Sequence, residues 1–308
     1  MIEISSLSEA AELGSSAVTI GKFDGIHRGH LALIEDLKSA AQEHNLSSVL
    51  VTFDRHPDAL LNPTKLKCPL IGLKQKIALV AATGIDAMLT LTFNEDLAAK
   101  SAADFIREHL VDCLKSKIVI VGEDFRFGAG GAGDVSLLRE LGQLYGFEVR
   151  VVPSATIGGR KISSSSIREL LDAGDVRSAA EQLGRVHTTT GIIEHGLKIG
   201  RTIGFPTANM SRDAEGYLPL DGVYAGWLIA DGVRYPAAHS VGINETFQAV
   251  PRLVESHVLD RKDLDLYDKE VTLEYIDFIR PSAKFDGVDS LVAEINRDLD
   301  KIRNILGL

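Results

Sequence analysis

The stretch GKFDGIHRGH, residues 21–30, places three glycines, two histidines, an aspartate and two basic residues in ten positions. It follows the apolar run 17–20 and precedes a helical pattern, so it lies where a strand passes into a helix. His27 and His30 are three positions apart and share one face of the first helical turn. That turn presents N–H groups and the positive end of the helix dipole, which suits the pair to phosphate oxygens.

Two other interpretations of this stretch are open from the residues alone. Zinc-binding histidines on a helix are more often four positions apart, and no further cluster of His and Cys supports a metal site. Capping and packing histidines after a tight turn are the structural alternative. Gly21, Gly25 and Gly29 favour a ligand, because glycines let the backbone turn tightly and approach a bound group closely.

Short β-branched runs alternate with helical patterns between residues 17 and 185. This alternation predicts an α/β domain with parallel strands and crossover helices. Ligands of such sheets bind beyond the carboxyl ends of the strands, where the glycine-rich segments 21–29 and 122–133 fall. The predicted strands are 17–21, 48–53, 87–92, 118–122 and 148–152, and the predicted helical stretches are 29–44, 73–83, 101–110 and 134–145.

The pattern changes near residue 185, where long helices give way to short strands and turns over residues 186–280. Several short strands with turn signals predict a small antiparallel β-barrel, and the amphipathic stretch 288–306 predicts a helix that closes it. Residues 163–184 are predicted to be helical and form a natural boundary. We therefore expect two domains, 1–184 and 185–308.

The composition limits the possible partners. The 308 residues carry a formal net charge of −10, with 45% apolar and 25% charged residues, whereas a broad nucleic-acid interface needs a basic surface. Cys68 and Cys113 lack CxxC spacing, so reduced thiols are expected rather than a disulfide. The first residues, MIEISSLSEAAELG, have no basic and apolar regions of a leader, so we expect none, and no apolar run approaches the roughly 18 residues of a membrane span. We expect a cytoplasmic protein with neither nucleic-acid nor membrane partners.

Two further stretches carry groups that suit phosphate. VGEDFRFGAGGAG, residues 121–133, ends a predicted strand with a glycine-rich loop that bears Arg126. KISSSSIREL, residues 161–170, is a hydroxyl cluster that leads into a helix with Arg168. Serines at a helix start are often simple caps. Four serines followed by an arginine one turn later also supply the hydroxyl, N–H and guanidinium donors of a phosphate clamp.

Together, GKFDGIHRGH, VTFDRHP (51–57), VGEDFRFG (121–128) and ISSSSIR (162–168) resemble the nucleotidyltransferase module of the bacterial bifunctional riboflavin kinase/FMN adenylyltransferase family. The His-x-Gly-His signature is shared by many adenylyl- and cytidylyltransferases, and the later stretches narrow the resemblance to flavin. It covers the N-terminal half of the chain. It implies a Rossmann-like domain that makes FAD from FMN and ATP.

The resemblance implies a role for each matching residue. His27 and His30 stabilise the α-phosphate of ATP while the FMN phosphate attacks it and pyrophosphate leaves. Positioning and charge stabilisation suffice for this step, so no covalent intermediate is needed. The implied ATP-binding residues are Gly21, Phe23, Asp24, Gly29, Asp124, Ser164, Ser165 and Arg168, and those on the flavin side are His56, Pro57 and Phe127.

A second unusual stretch is HGLKIGRTIGFPTANM, residues 195–210. Its glycines loosen a loop, and Pro206 fixes the backbone ahead of Thr207 and Asn209. On an extended segment these two side chains point the same way, and their oxygens are hard ligands that suit Mg²⁺ on nucleotide phosphates. A strand entry with a polar turn is the structural alternative.

This stretch also resembles the riboflavin kinase signature Gly-Phe-Pro-Thr-Ala-Asn, and LPLDGVYAG (218–226) and VESHVLD (254–260) follow it as in that family. The resemblance implies that Glu255 takes the proton from the ribityl 5′-hydroxyl as this attacks the γ-phosphate of ATP. The implied ATP-binding residues of the kinase are Gly200, Arg201, Gly204 and Pro206, and the implied Mg²⁺ ligands are Thr207 and Asn209.

The chain departs from the family pattern at a few positions. Arg55 and Glu245 stand where proline is usual, Ile199 replaces a common arginine, Asp268 replaces a glycine, and Ser165 replaces a threonine. Serine keeps the hydroxyl, and aspartate tolerates a left-handed turn better than most residues. The changes at residues 199 and 245 bear on ATP or flavin binding, so full kinase activity is left open.

The sequence therefore predicts a bifunctional enzyme that phosphorylates riboflavin to FMN and then adenylylates FMN to FAD. Three alternatives are a monofunctional FMN adenylyltransferase with a weakened kinase barrel, a non-catalytic flavin-binding regulatory protein, and a transferase for another alcohol phosphate. The expected partners are riboflavin, FMN, ATP and Mg²⁺, and the expected state is a monomer or a weak homo-oligomer.

Overall fold

A computed structural model describes residues 1–65, 68–195, 199–242, 252–261 and 263–308 of the protein. The chain divides into two compact units, Met1–Ser163 and Ser164–Leu308. Contacts thus group residues 164–184 with the second unit, whereas we expected them from the sequence to belong to the first domain. The functional boundary after residue 184 stays a prediction.

The first unit is built on a sheet of six parallel strands. All five strands expected from the sequence are present, with ends within two residues of those predicted. The sixth has only three residues and gives too short a pattern to be recognised. In chain order the strands are β1 (Ile2–Ile4), β2 (Ser16–Ile20), β3 (Ser47–Phe53), β4 (Ala87–Leu91), β5 (Ser116–Gly122) and β6 (Glu148–Val152), and across the sheet they run β1-β4-β3-β2-β5-β6.

Helices connect these strands, and an antiparallel pair of two-residue strands follows the sheet. One short helix, Ala102–Phe105, continues as a π-helix over Ile106–Cys113. The helices are α1 (Leu7–Ala10), α2 (Arg28–His44), α3 (Asp58–Leu61), α4 (Leu73–Ala81), α5 (Glu95–Ala99), α6 (Ala102–Phe105) and α7 (Val135–Tyr145), and the short strands are β7 (Thr156–Ile157) and β8 (Arg160–Lys161).

The sheet is buried on both faces, as expected for parallel strands with crossover helices. Every residue of β2 is buried, and successive side chains enter different clusters. Val18 belongs to the cluster that contains Leu138 of α7, whereas Ala17 belongs to the one that contains Ile34 and Leu37 of α2. Chain order reverses between β2 and β5, so the crevice beyond their carboxyl ends is the expected ligand site of this unit.

The second unit contains a closed barrel of six antiparallel strands, as predicted. The helix Val288–Leu306 begins and ends at the predicted residues and packs against the barrel. The helices of the second unit are α8 (Ser164–Asp172), α9 (Val176–Leu183), α10 (Ile199–Thr202) and α11 (Val288–Leu306). Its strands are β9 (His187–Glu194), β10 (Ala208–Met210), β11 (Gly222–Ala230), β12 (Val233–Gly242), β13 (Leu253–Val258) and β14 (Glu270–Pro281). Around the barrel the strands follow the order β10-β13-β12-β11-β14-β9.

The described residues include no helix that is both long and apolar enough to cross a membrane.

Two candidate active sites

The loop between β2 and α2 has a strained backbone. Phe23 and Ile26 have positive φ angles of 48° and 40°, and Gly25 lies between them at 88°. The left-handed region costs energy for a non-glycine residue and persists only where the surroundings enforce it. Here both side chains are almost fully buried, at 1% exposure each. The predicted loop residues Gly21, Phe23 and Asp24 thus belong to a loop whose shape is fixed by packing.

His27 and His30 lie together at the start of α2. His27 is the N-cap, and its Nδ1 accepts a hydrogen bond from the His30 backbone N–H at 3.3 Å. The two imidazole rings stack with centroids 3.7 Å apart and an angle of 14° between their planes, and Phe23 packs against His30 at 5.0 Å. A Cβ atom at Gly29 would lie 3.2 Å from the His27 ring, so glycine leaves room for that ring.

The metal alternative for this pair has no further support. Among the residues that the structure describes, no group of three or more His, Cys, Asp or Glu side chains could hold a metal ion. The stacked pair at the positive end of a helix suits an anion instead.

A buried lysine lies beneath the loop. Lys76 Nζ donates hydrogen bonds to the Lys22 carbonyl at 2.9 Å and to Thr52 Oγ1 at 3.4 Å. Burial lowers the pKa of Lys76, while the charges of Asp24 and Asp54 oppose that shift. Lys76 could not be singled out from the sequence, because α4 carries two lysines and the residue pattern does not show that Lys76 is buried while Lys74 is exposed.

Asp24 also fixes the loop from within the unit. Its Oδ1 accepts a hydrogen bond from the Leu70 backbone N–H at 2.8 Å, and its side chain is buried. The carboxylate therefore ties the nucleotide-side loop to the segment that precedes α4. This contact gives Asp24 a structural task beside the predicted one in ATP binding.

The loops after β3 and β5 emerge at the same sheet edge as the loop after β2, because the three strands are neighbours. After β3, His56 Nδ1 accepts a hydrogen bond from the Asp58 N–H at 3.2 Å, and Pro57 is the N-cap of α3. After β5, Phe127 is buried and stacks on Phe125 with centroids 5.4 Å apart. The predicted flavin-side residues therefore lie beyond the ends of β3 and β5, the two strands that flank β2.

Asp124, the predicted nucleotide contact after β5, is exposed and pairs with a lysine. Its Oδ2 accepts a hydrogen bond from Lys161 Nζ at 2.8 Å. That hydrogen bond lowers the pKa of the Asp124 carboxyl, so the group is ionised near neutral pH. Asp124 therefore presents a hydrogen-bond acceptor, with the Lys161 cation beside it, in the loop that follows β5.

The predicted phosphate clamp belongs to the second unit. Ser164 and Ser165 are the first two residues of α8. Arg168 is buried; its Nη1 donates to the Ser164 carbonyl at 3.3 Å, and its guanidinium lies 5.9 Å from the centre of the Tyr217 ring. The hydroxyl groups and the cation are therefore neighbours on one helix, and their action on the nucleotide of the first unit stays a prediction.

The second unit holds a cavity of about 400 Å³ between the outer face of the barrel and α11. Along β13 buried and part-buried residues alternate, so Val254 and Ser256 face the barrel interior while Glu255 and His257 face the cavity. Thr207 Oγ1 donates to Glu255 Oε2 at 3.2 Å. The structure thus brings together the predicted base and one predicted metal ligand.

The other predicted metal ligand is close to this pair. Asn209 lies directly opposite Glu255 in the antiparallel pairing of β10 with β13. Directly opposed residues project to the same side of a sheet, so Asn209 shares the face that carries Glu255. His257 fixes the segment before β10, since its Nδ1 is 2.8 Å from the Pro206 carbonyl oxygen.

A smaller cavity of about 50 Å³ adjoins the same threonine. Thr207 lines both cavities, and the smaller one also contains Arg201, Pro206 and Arg261. Thr207 therefore lies at both cavities, with the Glu255 carboxylate at the large one and the guanidinium groups of Arg201 and Arg261 at the small one. That polarity suits an acceptor hydroxyl in the large cavity and a polyphosphate at the small one.

Two predicted kinase glycines are required by the backbone. A Cβ atom at Gly200 would collide with the Phe205 carbonyl, and the Phe205 N–H donates to the Gly200 carbonyl at 2.8 Å. Gly204 has a φ angle of 91°, which other residues rarely adopt. Both glycines therefore shape the turn that delivers Pro206 and Thr207 to the cavities.

Among the departures from the family pattern, Asp268 has a φ angle of 61°. It adopts the left-handed turn where the family usually has glycine, a conformation that aspartate tolerates better than most residues. Ile199 begins α10. Glu245 lies outside the described residues.

Comparison with known proteins decides what these two sites belong to. The FAD synthetase family profile matches residues 9–166, and the riboflavin kinase family profile matches residues 183–306. The chain belongs to the family of bifunctional riboflavin kinase/FMN adenylyltransferases. Curated members from Escherichia coli K12 and Listeria monocytogenes are 36% and 34% identical over 306 and 286 residues, which cover 99% and 92% of this chain and 97% and 90% of theirs.

A solved structure from Streptococcus pneumoniae has the same architecture over the whole chain. It is 31% identical, covers 98% of both chains and superimposes with a TM-score of 0.89, and it is named a macrolide-efflux protein. That name describes the relative, whereas both halves of the present chain match flavin enzymes. The predicted bifunctional enzyme of FAD synthesis, a riboflavin kinase and FMN adenylyltransferase, is therefore confirmed. The monofunctional and non-catalytic alternatives are disfavoured.

Proposed function

We propose that the two reactions are divided between the two sites described above. The barrel site transfers the γ-phosphate of ATP to the 5′-hydroxyl of riboflavin, which gives FMN and ADP. The sheet-edge site transfers the adenylyl group of a second ATP to the FMN phosphate, which gives FAD and pyrophosphate. Two arrangements support this division, the stacked pair His27/His30 and the hydrogen-bonded pair Thr207/Glu255.

At the sheet edge, the imidazoles act on charge that develops at the α-phosphate. Both rings lie in the first turn of α2, where the helix dipole also favours negative charge. Donors fixed in place before the reaction need no reorganisation as the pentavalent phosphate forms. Because Asp24 and Lys76 anchor the loop, its geometry is set before the substrates bind.

At the barrel, Glu255 is positioned to take the proton of the attacking hydroxyl. The cavity that it lines lies within the roughly 300–1,000 Å³ typical of small-molecule sites. Its wall is otherwise largely apolar, which suits the fused aromatic rings of riboflavin. In phosphoryl transfer such a base orients the hydroxyl, and positioning accounts for most of the rate increase.

Thr207 and Asn209 would hold Mg²⁺ together with the phosphates of ATP. The residues fit this ion, because a hydroxyl, an amide oxygen and the nearby Glu255 carboxylate form a set of hard oxygen donors on one sheet face. Such a small protein set suits Mg²⁺, which takes several of its ligands from substrate and water. When bound, the ion would neutralise charge on the transferred phosphoryl group.

Further parts of the assignment rest on the resemblance and on the chemistry of the residues. Gly200, Arg201, Gly204 and Pro206 bind ATP in the barrel. Ser164, Ser165 and Arg168 clamp the β- and γ-phosphates of the other ATP, and the functional boundary falls after residue 184. The enzyme works in the cytoplasm, where its free cysteines stay reduced, as a monomer or weak homo-oligomer.

The barrel assignment is tested with Glu255→Gln in the full chain. The variant should form FMN from riboflavin about a hundredfold more slowly, the order expected for loss of a general base. It should convert supplied FMN to FAD at the normal rate. Glu274→Gln, on the barrel wall and paired with Arg234, is the matched control. Normal FMN formation by Glu255→Gln would remove the assignment.

The metal assignment has its own test. Asn209→Ala should raise the Mg²⁺ concentration needed for half-maximal FMN formation, while the Mg²⁺ requirement of FAD formation from supplied FMN should stay unchanged. Mg²⁺ titrations of the two activities in the same preparation measure this. Equal shifts in both, or no shift in either, would contradict the proposed site.

A further inference from the structure

A buried ion pair forms part of the wall of the large barrel cavity. Arg280 Nε, on β14, donates to Asp298 Oδ2, on α11, at 2.8 Å. Both residues line the cavity, and Asp298 is only 3% exposed. The wall of this cavity thus contains a charged pair, although it is otherwise largely apolar. Neither Arg280 nor Asp298 is among the site residues predicted from the sequence.

The second carboxylate oxygen of Asp298 is left without a hydrogen-bond partner among the described residues. Leaving a buried acceptor unsatisfied costs free energy, and native proteins seldom do so without a reason. Desolvation raises the pKa of Asp298, although Arg280 opposes the shift. A hydrogen-bond donor on a bound molecule would therefore satisfy a group that the protein leaves unsatisfied.

A second carboxylate near Arg280 lacks these properties. Glu294 Oε1 is 3.8 Å from Arg280 Nε, and its side chain is 22% exposed. Glu294 does not line the cavity, whereas Asp298 does. The chain therefore offers two acidic residues that share one arginine, and only one of them faces the substrate site.

We propose that Asp298 Oδ1 accepts a hydrogen bond from riboflavin in this cavity and makes Asp298 a specificity-determining residue of the kinase. The inference rests on the proposed assignment of the cavity to the flavin. Riboflavin offers two kinds of donor, the N3–H of its ring and the hydroxyls of its ribityl chain. A few polar groups in an apolar pocket fix the orientation of a ligand, and Asp298 supplies one of them.

The test compares Asp298→Asn with Glu294→Gln by the initial rate of flavin phosphorylation. Asparagine keeps the size of the side chain but replaces a charged acceptor with a weaker neutral one. KM for riboflavin should rise about tenfold in Asp298→Asn, with kcat little changed. In Glu294→Gln, KM should stay within about twofold of the wild-type value, since partly exposed pairs contribute little.

Flavin analogues then identify the donor and separate binding from a merely structural role. The wild-type enzyme should discriminate by about tenfold against one of four analogues, 3-methylriboflavin and the 2′-, 3′- and 4′-deoxyriboflavins, because one of them lacks the donor that Asp298 needs. For that analogue the effect of Asp298→Asn should disappear, whereas for the other three it should remain. A purely structural effect of the substitution would be the same for all five flavins.

Two results would overturn the proposal. One is a wild-type enzyme that phosphorylates all four analogues with the KM of riboflavin, a result that does not depend on the folding of any variant. The other is an Asp298→Asn variant that raises KM by one common factor for every flavin. Failure of the underlying kinase assignment would look different, because normal FMN formation by Glu255→Gln would show it.

Discussion

The two active sites of this protein are held in place by different means. At the sheet edge, the backbone fixes the site: Phe23 and Ile26 adopt positive φ angles in a short loop, and a hydrogen bond from His30 N–H to His27 joins the histidines. In the barrel, side chains on regular strands form the site, with Glu255 on β13 opposite Asn209 on β10. Loop substitutions should therefore disturb the first site, whereas those that alter the cavity wall should disturb the second.

Loss of an imidazole at the sheet edge should have the largest effect. His30→Ala should slow FAD formation from FMN at least a hundredfold, the order seen when one donor to a developing oxyanion is removed. FMN formation should stay normal. His44→Ala, in the last turn of the same helix, is the control. Rates with riboflavin and with FMN as alternative substrates measure both effects.

A substitution of His27 distinguishes its role as the N-cap of α2 from its role in catalysis. Asparagine is a good N-cap residue, so His27→Asn should preserve the start of α2 while it removes the imidazole. FAD formation should fall as in His30→Ala, and the thermal midpoint should hardly move. A variant with normal FAD formation would show that His27 acts only as a cap.

Removing the lysine beneath the loop should have an intermediate effect. Lys76→Met removes the ammonium group that donates to the Lys22 carbonyl and to Thr52 Oγ1, and leaves that carbonyl only the hydrogen bond from Thr52 Oγ1 at 3.2 Å, so the loop should lose its set geometry. We expect FAD formation to fall about tenfold, which corresponds to roughly 1.4 kcal/mol, while FMN formation is unchanged. Lys74→Met, on the exposed side of α4, is the control. Equal rates for the two variants would contradict the role given to Lys76.

Acid should weaken the barrel through two buried histidines. Burial lowers the pKa of His187 and of His239 to about 4, from the ordinary 6.5. Between pH 6.5 and 4 the unfolded chain binds protons that the folded barrel does not, so stability falls as the pH falls. The loss should reach roughly 3 kcal/mol per histidine.

Trp227, the one tryptophan of the chain, lies on β11, so the stability of the barrel can be measured by its fluorescence during urea unfolding. The unfolding midpoint should drop between pH 6.5 and pH 4.5, and His239→Gln should reduce that drop. A midpoint with the same pH dependence in the variant would exclude His239 as a cause.

The smallest effect should come from the exposed pair Asp124–Lys161. Its side chains are 71% and 46% exposed, and such pairs contribute less than about 1 kcal/mol. Lys161→Met should therefore hardly change the thermal midpoint. A clear loss of stability would show that the pair contributes more than an exposed ion pair normally does.

The sequence predicted most of the fold because its signals are local. The short, mostly apolar run of β2 is visible in the residue pattern, and the helix Val288–Leu306 shows its amphipathic period over nineteen residues. The strand Ile2–Ile4 was missed because three residues carry no period.

The site residues also divide into those with a local sequence signature, which could be predicted, and those without one. Glycines, histidines and the Pro-Thr-Ala-Asn stretch have local signatures, so His27, His30 and Thr207 could be named in advance. Lys76 and Asp298 could not, because each depends on partners distant in the chain: Lys76 on Lys22 and Thr52, and Asp298 on Arg280.

The division of labour between the two sites is tested most directly by chromatography of the flavins formed by His30→Ala and Glu255→Gln in parallel. Given riboflavin, ATP and Mg²⁺, His30→Ala should accumulate FMN and make little FAD. Glu255→Gln should leave riboflavin unchanged but convert supplied FMN to FAD. Loss of both reactions in either folded variant, or normal FAD formation by His30→Ala, would contradict two separate active sites.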